Sequence, residues 1–130
     1  MDFEHIKREL LRTDRTEEET KRLMQAIEQN KDKMKSQTDI NMLGQQWEKE
    51  GRTAEAAVLY EMNLLDNFDG SFPYDRLAVI YKKQKKYDDL VRVLEKAVYV
   101  FENIVHKDRA DRQKKLDKYK EKLEKAIGLL

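Results

Sequence analysis

Apolar residues recur every three or four positions along most of the chain, which is the period of an amphipathic α-helix. Phe3, Ile6 and Leu10 form one such stripe, and Leu23 and Ile27 belong to the next. No stretch of useful length alternates between apolar and polar residues, as a half-buried strand does. The pattern predicts an all-α protein with six or seven helices.

Helix starts are marked by residues that cap backbone N–H groups. Thr16 followed by Glu19 has the spacing of a capping box, which predicts a helix that runs to about Lys35. Ser36 or Thr38 is the predicted N-cap of the following helix. These signals divide the first third of the chain into a short N-terminal helix and two longer ones.

Glycine, proline and polar segments predict where the later helices begin and end. Gly51 follows the helix that starts near residue 38, and a further helix is predicted over 54–67. Pro73 suits the first turn of the next helix, because it has no N–H to satisfy there. Another helix begins near Tyr87. Neither glycine nor proline occurs from Tyr87 to Ala126, so the alternatives are one continuous helix or two helices with the expected break in the polar segment 106–111.

Composition narrows the class of protein. The chain has 130 residues, which suits one domain, with 41% charged residues, one proline, no cysteine and a net charge of +1. Without cysteine there are no disulfides or thiolate metal sites. No apolar run approaches the roughly 20 residues of a membrane span, so we expect no membrane association and a cytoplasmic location.

Two segments of the chain are similar at an offset of 34 residues. LGQQWEKEGRTAEAAVLYEMNLL, residues 43–65, aligns without a gap with LAVIYKKQKKYDDLVRVLEKAVY, residues 77–99. Each segment reads as a helix, a short polar turn and a second helix. Gly44 falls on Ala78 in this alignment, at a position that is small in both units. Such helix pairs bury their apolar faces by stacking on one another.

The repeated residues resemble the tetratricopeptide repeat (TPR) family, in particular small TPR proteins of bacteria and their phages. The resemblance rests on Ile40, Leu43, Gly44, Trp47, Ala56 and Tyr60 in the first unit, and on Tyr74, Leu77, Ala78, Tyr81, Leu90, Leu94 and Ala97 in the second. It implies an α-solenoid of antiparallel helix pairs. Residues 1–36 would then be a degenerate repeat or cap, 37–105 two repeats, and 106–130 a capping helix.

Gly44 is unusual because it lies inside a predicted helix, where glycine costs roughly 1 kcal/mol relative to alanine. Its place in the repeat predicts that a neighbouring helix approaches closely there, with Trp47 and Tyr60 packed around it. We expect Gly44→Leu to destabilise the fold by a few kcal/mol through overpacking. Gly44→Ala is expected to be mild or even stabilising.

The sequence contains no arrangement typical of an enzyme. His5 and His106 lack a second metal ligand at helical spacing and are expected at the surface. The acidic runs 17–19 and 88–89 lie at predicted helix starts, where the helix dipole favours negative charge. We therefore predict a non-enzymatic protein with no catalytic residues, cofactor or metal.

The resemblance implies a binding surface on the concave face, formed by the first helix of each pair. The residues at these positions are Thr38, Asn41, Gln45, Glu48 and Lys49 in the first unit, and Asp75, Arg76, Val79, Lys82 and Lys83 in the second. This mixed polar surface suits a protein or peptide partner, as in an adaptor or regulator. The lysine, asparagine and arginine set with which some TPR domains hold a chaperone's C-terminal carboxylate is not reproduced.

The C-terminal segment leaves alternatives open. Leu116, Leu123 and Leu130 are seven residues apart, which fits a helix packed on the preceding one or a homodimer seam through residues 109–130. Self-association through this helix is the second functional hypothesis. The third and least favoured is nucleic-acid binding through Lys114, Lys115, Lys118 and Lys122.

Overall fold

A computed structural model describes residues 16–130, and this part of the chain contains six α-helices and no β-strand. The prediction of an all-α protein is confirmed. The helices are α1 (Glu17–Gln29), α2 (Gln37–Lys49), α3 (Thr53–Leu65), α4 (Phe72–Lys83), α5 (Tyr87–Asn103) and α6 (Arg112–Ile127). The helix predicted near the N-terminus, over residues 3–11, lies outside the described residues.

The first two helices begin at the predicted caps. The Thr16 hydroxyl accepts a hydrogen bond from the Glu19 backbone N–H at 3.1 Å. The Ser36 hydroxyl accepts one from the Asp39 N–H, also at 3.1 Å, so Ser36 and not Thr38 is the N-cap of α2. Each bond satisfies an N–H group that the first turn leaves without a helical partner.

The end of α1 differs from the prediction. The helix stops at Gln29 instead of reaching about Lys35, and a 3₁₀ turn follows over Lys31–Lys33. The Asn30 side-chain amide and its backbone N–H both donate to the Ala26 carbonyl, at 2.8 and 3.2 Å, so this residue closes the last turn of α1. The helix is therefore about six residues shorter than predicted, which is nearly two turns.

The later boundaries agree with the sequence signals. Gly51 has φ +79°, in the left-handed region that glycine enters at little cost. Pro73 lies in the first turn of α4. The last two helices are separate, since α5 ends at Asn103 and α6 begins at Arg112.

The described residues form two compact units, 16–62 and 63–130. In the first unit, α2 and α3 meet where Gly44 faces the ring of Tyr60. A Cβ atom built on Gly44 would lie 2.5 Å from Tyr60 Cε1 and 2.9 Å from Cζ. The predicted close approach is confirmed. An alanine Cβ in this place would overlap a fully buried ring, which argues against the expectation that Gly44→Ala is mild.

In the second unit, α4 packs on α5 and α5 packs on α6. The Tyr119 ring of α6 lies 5.3 Å from the Phe101 ring of α5 and 6.4 Å from the Tyr74 ring of α4, centroid to centroid. All three rings are buried. They form the aromatic centre of this unit. Over residues 16–130, none of the helices has the length and apolar character that crossing a membrane requires.

Candidate functional site

The second unit carries a groove of about 240 Å³ between α4 and α6, which we name the α4–α6 groove. Its apolar lining consists of Ala78, Val79, Leu90, Leu94, Ala126 and Leu129. Val79 and Leu129 are 40% and 44% exposed, so the groove opens to solvent. The volume lies below the roughly 300–1,000 Å³ of typical small-molecule sites. It suits one or two aliphatic side chains.

Charged side chains surround this apolar lining. Asp75 and Lys82 of α4 and Lys122 and Lys125 of α6 contribute to the wall. Lys125 pairs with Glu121 at 3.2 Å, and both side chains are largely exposed. Lys82 and Lys122 make no ion pair among the residues that the structure describes. The rim therefore carries an excess of positive charge.

Hydrogen bonds fix the two walls of the groove relative to each other. The buried Tyr119 hydroxyl donates to the Asp75 carboxylate at 2.8 Å. One turn earlier, Lys115 donates to the Ser71 hydroxyl at 3.0 Å and pairs with Asp111 at 3.1 Å. Burial raises the pKa of Tyr119 well above its ordinary value of 10.0, and the Asp75 charge raises it further. The tyrosine thus stays a neutral donor that holds α6 against α4.

Side chains at aligned positions of the two 34-residue segments differ in size and polarity. In the first unit, the Tyr60 ring fills the space above Gly44, and its hydroxyl donates to Glu48 at 2.5 Å. The residues 34 positions later are Leu94 for Tyr60 and Lys82 for Glu48. Leucine is shorter and cannot donate a hydrogen bond, so the space beside Ala78 is left unfilled. Lys82 aligns with Glu48, whose carboxylate accepts the Tyr60 hydrogen bond within the chain.

Three of the five residues predicted in the second unit line the groove. They are Asp75, Val79 and Lys82, which lie on one face of α4 at intervals of four and three residues. Arg76 is half-buried and Lys83 is exposed, but neither contributes to the lining. The structure thus brings together the part of the predicted set that shares a helical face.

The five predicted residues of the first unit lie on or near α2 and differ in exposure. Thr38, Gln45 and Lys49 are exposed. Glu48 is half-buried and accepts the Tyr60 hydroxyl bond. Asn41 is only 7% exposed, so it does not offer its side chain to a partner. The candidate site therefore lies in the second unit.

The sequence interpretation missed the wall that α6 contributes. Lys122, Ala126 and Leu129 recur at intervals of four and three residues; Lys122 and Ala126 lie on one face of α6, and Leu129 follows in the turn after its end. This spacing is a sequence signal that could have identified the wall. The heptad leucines indicate a different face, and the sequence assigns Lys122 only a nucleic-acid contact.

Other chemistry is sparse in the described part of the chain. No group of three or more His, Asp or Glu residues between 16 and 130 is placed to hold a metal ion. His106 is exposed and lies 3.7 Å from the exposed Asp108 carboxylate; His5 is outside the described residues. Comparison of the chain with protein-family models, with curated proteins and with solved structures found no match.

Proposed function

We propose that the chain is a non-enzymatic, TPR-like adaptor or regulator of the cytoplasm, of the kind found in small bacterial or phage proteins. It binds a peptide segment of another protein in the α4–α6 groove. Helix spacing supports the repeat interpretation, since α3 begins at Thr53 and α5 begins 34 residues later, at Tyr87. The proposal places binding in the second unit.

The open apolar lining of the groove carries this proposal. Val79 and Leu129 expose aliphatic surface in a concave site, which favours contact with an aliphatic side chain of a partner. The walls are preorganised by the Tyr119–Asp75 and Lys115–Ser71 hydrogen bonds. Little conformational entropy is therefore lost in the groove when a segment binds.

The test is a selection of random 16-residue peptides, displayed on phage, against the immobilised full-length chain. Each selected peptide is then measured by fluorescence anisotropy against Val79→Gln/Leu129→Gln. This double variant removes apolar lining without changing the charge. We expect it to lose affinity by about tenfold or more, because it replaces aliphatic contact with polar groups that must be desolvated.

A matched control replaces two exposed apolar residues outside the groove, to show that any loss of affinity comes from the groove itself. Tyr99 and Ile104 are 49% and 43% exposed and do not line the groove. Tyr99→Gln/Ile104→Gln should leave the affinities unchanged, and circular dichroism should show wild-type helix content for both double variants. Peptides that bind all three proteins equally, or no enriched peptides at all, would contradict binding in the groove.

A further inference from the structure

The charges around the α4–α6 groove indicate what kind of segment it takes. Three lysines and one aspartate border the lining. Asp75 already accepts the Tyr119 hydrogen bond at 2.8 Å, whereas Lys82 and Lys122 have no ion-pair partner among the described residues. Two ammonium groups are therefore available beside an apolar site, and carboxylates are the groups that complement them.

Lys125, the third lysine beside the groove, can also pair with a carboxylate of a partner. The Lys125–Glu121 pair spans one helical turn, and its side chains are 76% and 68% exposed. Exposed pairs of this type contribute little to stability, so Lys125 can exchange Glu121 for a carboxylate of a partner at small cost. The positive rim thus extends along α6 from Lys122 to Lys125.

The lining argues against two other occupants. None of its side chains is aromatic, so a nucleic-acid base would find no ring on which to stack. A second copy that presents its own α6 would bring like charge, because this helix has seven basic and three acidic residues. Juxtaposed like charges oppose association.

We infer that the occupant is an acidic segment of a protein partner, with one or two leucine-like side chains flanked by glutamate or aspartate. This inference rests on the proposed function. The aliphatic side chains enter the lining beside Val79 and Leu129. The flanking carboxylates pair with Lys82 and Lys122 on opposite walls, so that the segment spans the groove from α4 to α6.

The composition of the selected peptides tests this inference separately. Peptides that depend on Val79 and Leu129 should be rich in acidic and aliphatic residues. Lys82→Glu/Lys122→Glu should weaken their binding by at least about tenfold. The affinity of the wild-type chain should fall as salt rises from 50 to 500 mM, because exposed charges are screened.

Lys114→Glu/Lys118→Glu is the matched control, since it makes the same charge change on exposed lysines of α6 outside the lining. It should reduce affinity much less. Groove-dependent peptides that are neutral or basic, or that bind both lysine variants equally, would overturn the acidic partner and leave the proposed function standing. Absence of groove-dependent peptides would overturn both.

Discussion

At the scale of single residues, Gly44 shows how one missing side chain sets the distance between two helices. Its Cα faces the edge of the Tyr60 ring, which is fully buried and held by the hydrogen bond to Glu48. The ring therefore cannot turn aside as an exposed side chain would. The cost of glycine inside α2 is offset by close contact between α2 and α3.

We predict that Gly44→Ala destabilises the protein by about 1–2 kcal/mol, even though alanine favours helix by roughly 1 kcal/mol. The physical reason is the 2.5 Å approach to Tyr60 Cε1. Urea unfolding measures the change. Tyr60→Leu removes the ring, so Gly44→Ala should cost less in that background, with a coupling energy of about 1 kcal/mol. Equal costs in both backgrounds would contradict a steric origin.

At the scale of elements, α6 is held in the second unit by a buried side and by hydrogen bonds to α4. Leu116, Tyr119 and Ala126 are buried, and Tyr119 also reaches Asp75. Truncation after Lys107 would remove these contacts and uncover the Phe101 ring. Such a truncation would test the stability of the unit more than its association with another chain.

Alkaline pH should reveal the Tyr119 contact. Because its pKa is raised in the folded state, the folded protein keeps this proton above pH 10 while the unfolded chain loses it. The free energy of unfolding must then fall as pH rises, by up to about 1.4 kcal/mol per pH unit for this group. Urea midpoints at pH 8, 10 and 11 should fall less steeply for Tyr119→Phe than for wild type.

The same change at an exposed tyrosine, Tyr99→Phe, is the control and should keep the wild-type slope. All other titratable residues are the same in the three proteins. If Tyr119→Phe has the wild-type slope as well, the tyrosine proton does not contribute to the alkaline loss of stability.

The sequence predicted helix starts better than helix ends and side-chain burial. Thr16 and Ser36 cap their helices through hydrogen bonds to residues three positions later. The spacing of these residues in the sequence is therefore enough to predict where the two helices begin. Asn41 is buried although it is polar, and its residue type alone gives no sign of this. Tyr60 packs on Gly44 whereas Leu94 lines an open groove, and this difference becomes visible only once the surrounding side chains are placed.

At the scale of the whole molecule, self-association is the main alternative to a monomeric adaptor. Of the three heptad leucines, Leu116 is buried inside the second unit, Leu123 is half-buried and Leu130 is 66% exposed. Most of the apolar surface of the proposed dimer seam is therefore already buried within the chain. The remaining exposed apolar residues at this end are Ile127, Leu129 and Leu130.

We expect sedimentation equilibrium at 10–100 µM to return the mass of one chain, 15.6 kDa. The reason is that α6 already buries its apolar face against α5, and its net positive charge repels a second α6. The measurement should give the same mass at 50 and 500 mM salt. A mass near twice this value that returns to one chain in Ile127→Gln/Leu130→Gln would instead place a dimer contact at the end of α6. That outcome would make the peptide selection compete with self-association for Leu129 of the groove.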